Sequence, residues 1–113
     1  MTRRIYIAGP MTGLPDNNYP AFHAEAARLR GLGFTVENPA ENSAPACGSW
    51  QGYMRLALNQ LITCHAVALL PGWTDSRGAL LERYVAFQLG MPTLEAAAIT
   101  SPALPLVAQE LRP

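Results

Sequence analysis

The chain has 113 residues, half of them hydrophobic and 14% charged, with a formal net charge of zero. That length supports one domain and one core. The charge content lies well below the ~25% of an ordinary soluble domain, which leaves apolar surface that self-association would cover. A neutral chain without a charge run excludes a nucleic-acid backbone or an anionic membrane as the main partner.

All eight cations are Arg. The lack of Lys rules out a Lys-dependent phosphate loop, a Schiff base and a Lys general base. Cys47 and Cys64 are too few and too far apart for a metal site or a disulfide framework, and both read as small buried apolar groups. The short apolar run after Arg3-Arg4 stops at Gly9-Pro10, too soon for an export signal. No stretch spans a membrane, so the cytoplasm is the expected location.

Residues 5–8 are an apolar run closed by Gly9-Pro10, the pattern of a strand buried on both faces. Residues 11–18 hold Gly, Pro, Asp and Asn and predict a loop. A helix is expected from Tyr19 to about Leu32. Pro20 suits its first turn, Phe22, Ala26, Leu29 and Leu32 recur at helical spacing, and Gly33 ends it. Residues 34–36 read as a second strand stopped at Asn38-Pro39, and residues 41–48 as an irregular segment. Ser49 can cap a second helix whose inward face carries Trp50, Tyr53, Met54, Ala57, Leu58, Leu61 and Ile62. Residues 66–70 predict a third strand ended by Pro71-Gly72. Ser76 can cap a third helix running to Leu89. Residues 93–99 are either a last strand or, through their Ala run, a helix. The domain is expected to fill residues 1–100, leaving 101–113, with three prolines, as a partly ordered tail.

Strand and helix alternate, which predicts an α/β fold: a small Rossmann-like (flavodoxin-like) three-layer sandwich with a four- or five-stranded parallel sheet and right-handed crossovers. Ligands in such folds bind outside the carboxyl ends of the strands, at a switch point in strand order. The loops at 9–13 and 72–78 leave such ends.

Glu82 breaks the helical pattern. Gly78, Val85, Ala86 and Leu89 share its face, while Arg77, Arg83, Tyr84 and Gln88 lie opposite. A carboxylate on the face toward the sheet needs a partner or a purpose. Its side chain leans toward the helix N-terminus and so toward the strand-end crevice. The alternative is that it turns aside to pair with Arg77, Arg83 or a backbone amide. Gly9, Gly13 and the Gly78-Ala79 pair let a ligand approach the backbone, but they do not form the dinucleotide pattern of three spaced glycines.

IYIAGPMTG at the first strand, NYPAF entering the first helix and LLPGWTDSRGALLE after the third strand resemble a small phage-associated domain family. That family is similar to the nucleoside 2-deoxyribosyltransferases and the deoxynucleotide N-hydrolases, and the likeness runs to Pro92. The resemblance implies that Glu82 is a nucleophile that attacks the anomeric carbon of a deoxyribose, expels the nucleobase and forms a glycosyl ester. Water or a second base then resolves the ester, chemistry that a partly desolvated carboxylate suits. It also implies substrate contacts from Tyr6, Gly9, Pro10, Met11, Trp73, Ser76, Arg77 and Gly78. At the position of Ser76 the transferases usually carry an acidic residue that holds the sugar, and the nucleotide hydrolases a Ser for the 5′-phosphate. A Ser beside Arg77 and the Gly78 amide implies a phosphate cradle, although a plain helix cap explains it as well.

The sequence departs from that superfamily in two places. His65 stands where an Asp commonly opens the third strand, so it is either a proton donor near the base or a structural His. Leu56-Ala57-Leu58 replaces the acidic end of the second helix. Among the aromatics, Trp73 either stacks on a base or packs on the protein, and Trp50 and Tyr53 read as core. The Tyr6 hydroxyl needs a partner, Asn18 reads as a cap, and Asp16 as loop solvation. The expectation is an enzyme acting on a small deoxynucleotide or nucleoside, without cofactor or metal, as a homo-oligomer. A binding module that has lost the chemistry, or a structural subunit, are the rivals.

Overall fold

Alternation along one strand divides the core in two. In a computed structural model, which describes residues 3–103, the first strand β1 (Arg4–Ala8) turns Ile5 and Ile7 to one side and Tyr6 and Ala8 to the other. All four of these side chains are fully buried, as the apolar run predicts for a central strand. β1 is flanked by β2 (Thr35–Glu37) and β3 (Ala66–Leu69), and β4 (Thr93–Glu95) extends the sheet beyond β3. Every pairing is parallel and the order is β2-β1-β3-β4. This is the flavodoxin-like order, and its switch point lies between β1 and β3.

The helices follow from the direction of each crossover. The chain moves one way from β1 to β2 and the other way from β2 to β3 and on to β4, so right-handed connections put helices on both faces. The first helix, α1 (Tyr19–Gly31), packs Phe22, Ala26 and Leu29 on the Ile5–Ile7 side. The second and third, α2 (Trp50–Leu61) and α3 (Arg77–Gln88), cover the Tyr6–Ala8 side through Ala57, Leu61, Ala79 and Ala86. Three layers result.

Both predicted caps form: Ser49 Oγ accepts from the Gly52 amide at 2.9 Å and Ser76 Oγ from the Ala79 amide at 3.1 Å. Each satisfies one orphan donor of a helix start. Residues 93–99 are both of the things the sequence left open, a strand followed by a 3₁₀ turn at Ala96–Ala98. Arg28 holds that turn to α1, donating to the carbonyls of Ala96 and Ile99, each at 2.8 Å.

Four expectations need correction. Ile62 and Leu89, assigned to inward faces, are 54% and 57% exposed, because each caps its helix where the layer ends. Cys64 is buried, with its thiol pushed up to about 11 by burial. Cys47 is exposed instead, in the irregular segment before α2. Asn18 does not cap α1; its Nδ2 donates to the Pro10 carbonyl at 3.0 Å and ties the loop to the end of β1. Most of the expected tail, residues 104–113, lies outside the described residues.

Candidate active site

A cavity of about 390 Å³ opens at the carboxyl ends of the strands. Three segments supply most of its lining, with Tyr19 and Phe22 of α1 and Pro39 after β2 completing it. The loop after β1 contributes Gly9, Met11 and Asn17, the segment before and into α2 contributes Pro45, Trp50 and Tyr53, and the start of α3 contributes Ser76, Gly78 and Glu82.

Gly9 is required by close packing at the switch point. A Cβ there would stand 2.8 Å from Leu70 Cβ, closer than real carbons approach. Gly78 is also closely packed between helices, a Cβ there standing 3.3 Å from Met54 Sδ, which would have to give by a few tenths of an ångström. On the loop side, Asp16, Asn17 and Asn18 take left-handed backbone angles (φ 51, 53 and 60). Asn and Asp tolerate this conformation best among side-chain-bearing residues. The turn presents Asn17 to the cavity.

Glu82 reaches the cavity from the buried stripe of α3 and is only 5% exposed. Among the described residues no Arg pairs with it. Its partner is the Tyr6 hydroxyl, which donates to Glu82 Oε2 from β1 beneath it. Strand alternation explains the meeting, because Tyr6 faces the α3 layer while its neighbours Ile5 and Ile7 face α1. Burial pushes the Glu82 carboxyl up to about 8, and the Tyr6 hydrogen bond opposes that rise. The Tyr6 hydroxyl is itself raised well above its ordinary value, by burial first and by the Glu82 charge second. Tyr53 is raised by the same two causes in the same order. Its hydroxyl donates to Met11 Sδ at 3.0 Å and closes one wall.

The residues singled out in the sequence do not all gather here. Gly9, Met11, Ser76, Gly78 and Glu82 line the cavity, and Tyr6 lies buried under it. Pro10 packs away from it, its Cγ 3.2 Å from where Gly72 would carry a Cβ. Trp73 is also turned away, its Nε1 donating to Glu95 on β4 at 3.0 Å while Arg83 sits 5.5 Å over its ring. Arg77 lies at the rim, its guanidinium carbon 3.6 Å from the Trp50 ring centroid. His65 is at the other end of the sheet. It directly precedes β3, is exposed, and its Nδ1 accepts from the Arg4 amide at 2.9 Å. Because β1 and β3 run parallel, their amino ends lie a strand length from the cavity, and His65 does not line it.

Trp50 and Tyr53, read as core from their helical spacing, are walls of the cavity. The helical stripe identified the face correctly. It could not show that the first turn of α2 projects beyond the sheet, where a face toward the core becomes a face toward a crevice. Among the described residues, no group of three or more His, Cys, Asp or Glu could hold a metal, and no helix is long and apolar enough to cross a membrane.

A Rossmann-like α/β domain with one buried carboxyl at its switch-point crevice is the class that fold and site define. By sequence the chain belongs to the family described as "Domain of unknown function (DUF4406)", which it matches over residues 3–95. Its fold is similar to that of the 2-deoxyribosyltransferase from the psychrotolerant bacterium Bacillus psychrosaccharolyticus. The two share a TM-score of 0.64 and 24% identity, covering 80% of this chain and 70% of that one. No curated protein matches the chain.

Proposed function

We propose that this protein cleaves or exchanges the N-glycosidic bond of deoxynucleotides, with Glu82 as nucleophile. One observation carries the reading: a carboxyl withdrawn from water, facing a ligand-sized cavity and, among the described residues, held by a single hydroxyl with no cation beside it. A structural carboxylate in such a place would be expected to have a cation or several donors.

In the reaction a Glu82 oxygen forms a bond to C1′ of the sugar as the C1′–N bond breaks. The departing base keeps the electron pair and takes a proton from solvent, which the attacking water or second base returns in the next step. Water then adds at C1′, restores the carboxylate and releases the sugar; a second base in place of water completes a transfer. Tyr6 fixes the carboxyl in one orientation and, as a donor, favours its charged form. Ser76, Arg77 and the first-turn amides of α3 receive the 5′-phosphate, since a helix start offers unpaired N–H groups and positive potential. The test is incubation with deoxynucleoside 5′-monophosphates, scored for free base. Wild-type protein should release base and Glu82→Gln should not; no release of any base removes the enzyme reading.

A second reading rests on the same carboxyl. With its proton affinity raised to about 8, the carboxyl holds its proton by roughly ten to one at pH 7. A protonated Glu82 donates a hydrogen bond instead of attacking, which suits a binding module. Monophosphate binding without base release across pH 6–9 selects this reading.

A further inference from the structure

We infer that Trp50 is a positioning residue that makes the mouth of the cavity select for an anionic substrate. The inference rests on the phosphate cradle at Ser76 and Arg77 proposed above. Its observations are separate from those that support the cradle.

Arg77 is exposed at the first position of α3. Among the described residues it has no carboxylate partner; the ion pairs found there use Arg4, Arg28 and Arg30. An unpaired Arg on a helix start samples many rotamers, and ordering it for a ligand costs entropy. Here the Trp50 ring takes up that freedom. The guanidinium carbon lies 3.6 Å from the ring centroid, within contact for a cation on an aromatic face. Stacking occupies the flat face of the guanidinium and leaves its in-plane N–H groups to bind an oxyanion.

Trp50 also belongs to the cavity itself. It forms part of the lining, and its Nε1 lies 4.0 Å from the position a Cβ would take on Gly78. That N–H has no protein acceptor among the described residues, unlike the indole N–H of Trp73, which is bound to Glu95. The mouth therefore presents two unpaired donors on one rigid ring, the indole N–H at its edge and the guanidinium over its face. The indole N–H stands beside Gly78 of α3, and the guanidinium belongs to that same helix start, next to Ser76. Trp50 thus links α2 to substrate recognition by α3.

The experiment measures the binding of a deoxynucleoside 5′-monophosphate and of its nucleoside to the full chain by calorimetry, and reads the ratio of their affinities. Trp50→Leu should lower that ratio at least roughly threefold, the monophosphate losing more affinity than the nucleoside, because a cation–π contact and an indole N–H donor are both lost. Trp50→Phe keeps a ring under Arg77 but lacks the N–H, so its ratio should fall between wild type and Trp50→Leu. It also serves if Trp50→Leu fails to fold. An unchanged ratio in these variants overturns the inference. So does an equal loss for both ligands, which would make Trp50 a wall and nothing more. A wild-type ratio near one overturns the cradle itself, and base release, scored separately, tests the enzyme reading.

Discussion

Glu82 is subject to two opposed influences, burial that favours its neutral form and the Tyr6 hydroxyl that favours its charged form, and burial is the larger. The sign of its linkage follows. The folded state holds the proton more tightly than the unfolded chain, whose carboxyl titrates near 4.5. Stability is therefore greatest below the unfolded value and falls as pH rises toward about 8. Glu82→Gln removes the titration. Its melting temperature should match wild type near pH 4 and exceed it increasingly up to about pH 8, with an upper bound on the order of 5 kcal/mol. Parallel melting curves for the two proteins would show that the carboxyl is not desolvated as described. Tyr6→Phe takes away the one donor that opposes burial. Base release, which requires the carboxylate, should then show its acid limb about one to two pH units higher, from the ~1.5–3 kcal/mol of a hydrogen bond to a charged group. An unmoved pH profile would mean that Tyr6 does not act on Glu82.

At the level of elements, the start of α3 combines a cap with the proposed cradle, and two substitutions separate them. Ser76→Ala removes the cap bond to the Ala79 amide and should cost ~1 kcal/mol, about 4–8 °C in a domain of this size. Ser76→Asp keeps an equally good cap and brings a negative charge to the same place. It should melt like wild type but lose the preference for a monophosphate, which Ser76→Ala loses too. Thermal melts paired with the two-ligand calorimetry check both halves; a Ser76→Asp protein that still prefers the monophosphate would leave Ser76 as a cap only. The elements were legible in the sequence because their signals are local: apolar runs, Ser caps and Gly stops fall within one or two residues of the observed bounds. Glu82 was legible as well, since a single charge on an apolar helical face is a local contradiction. What could not be read were contacts across elements. Nothing in the sequence pairs Tyr6 with Glu82, stacks Arg77 on Trp50 or turns Trp73 toward Glu95. Each depends on the sheet order, which sets which loop meets which helix.

For the whole molecule, scarce charge has a spatial consequence. Leu80 and Tyr84 lie four residues apart on α3, on the side away from the buried stripe of Ala79, Glu82 and Ala86, and are 45% and 61% exposed. Residues at that spacing are neighbours on a helix surface, so the two form one patch. Further exposed apolar side chains, Leu56 and Ile62, lie on and at the end of α2, which packs beside α3 on the same face of the sheet. A single exposed Leu is ordinary, but several on two adjacent helices favour burial against a like surface. The chain is therefore expected to be a homodimer at tens of micromolar, an order-of-magnitude concentration for an interface of standard size. Light scattering that gives a monomer there removes the expectation. The double substitution Leu80→Glu with Tyr84→Glu then identifies the face. Glu is a good helix former and both positions are exposed, so α3 should stay folded. Two like charges per protomer brought against their copies should shift the protein to monomer without lowering its melting temperature when it is dilute. A dimer that survives both substitutions would place the contact away from α3.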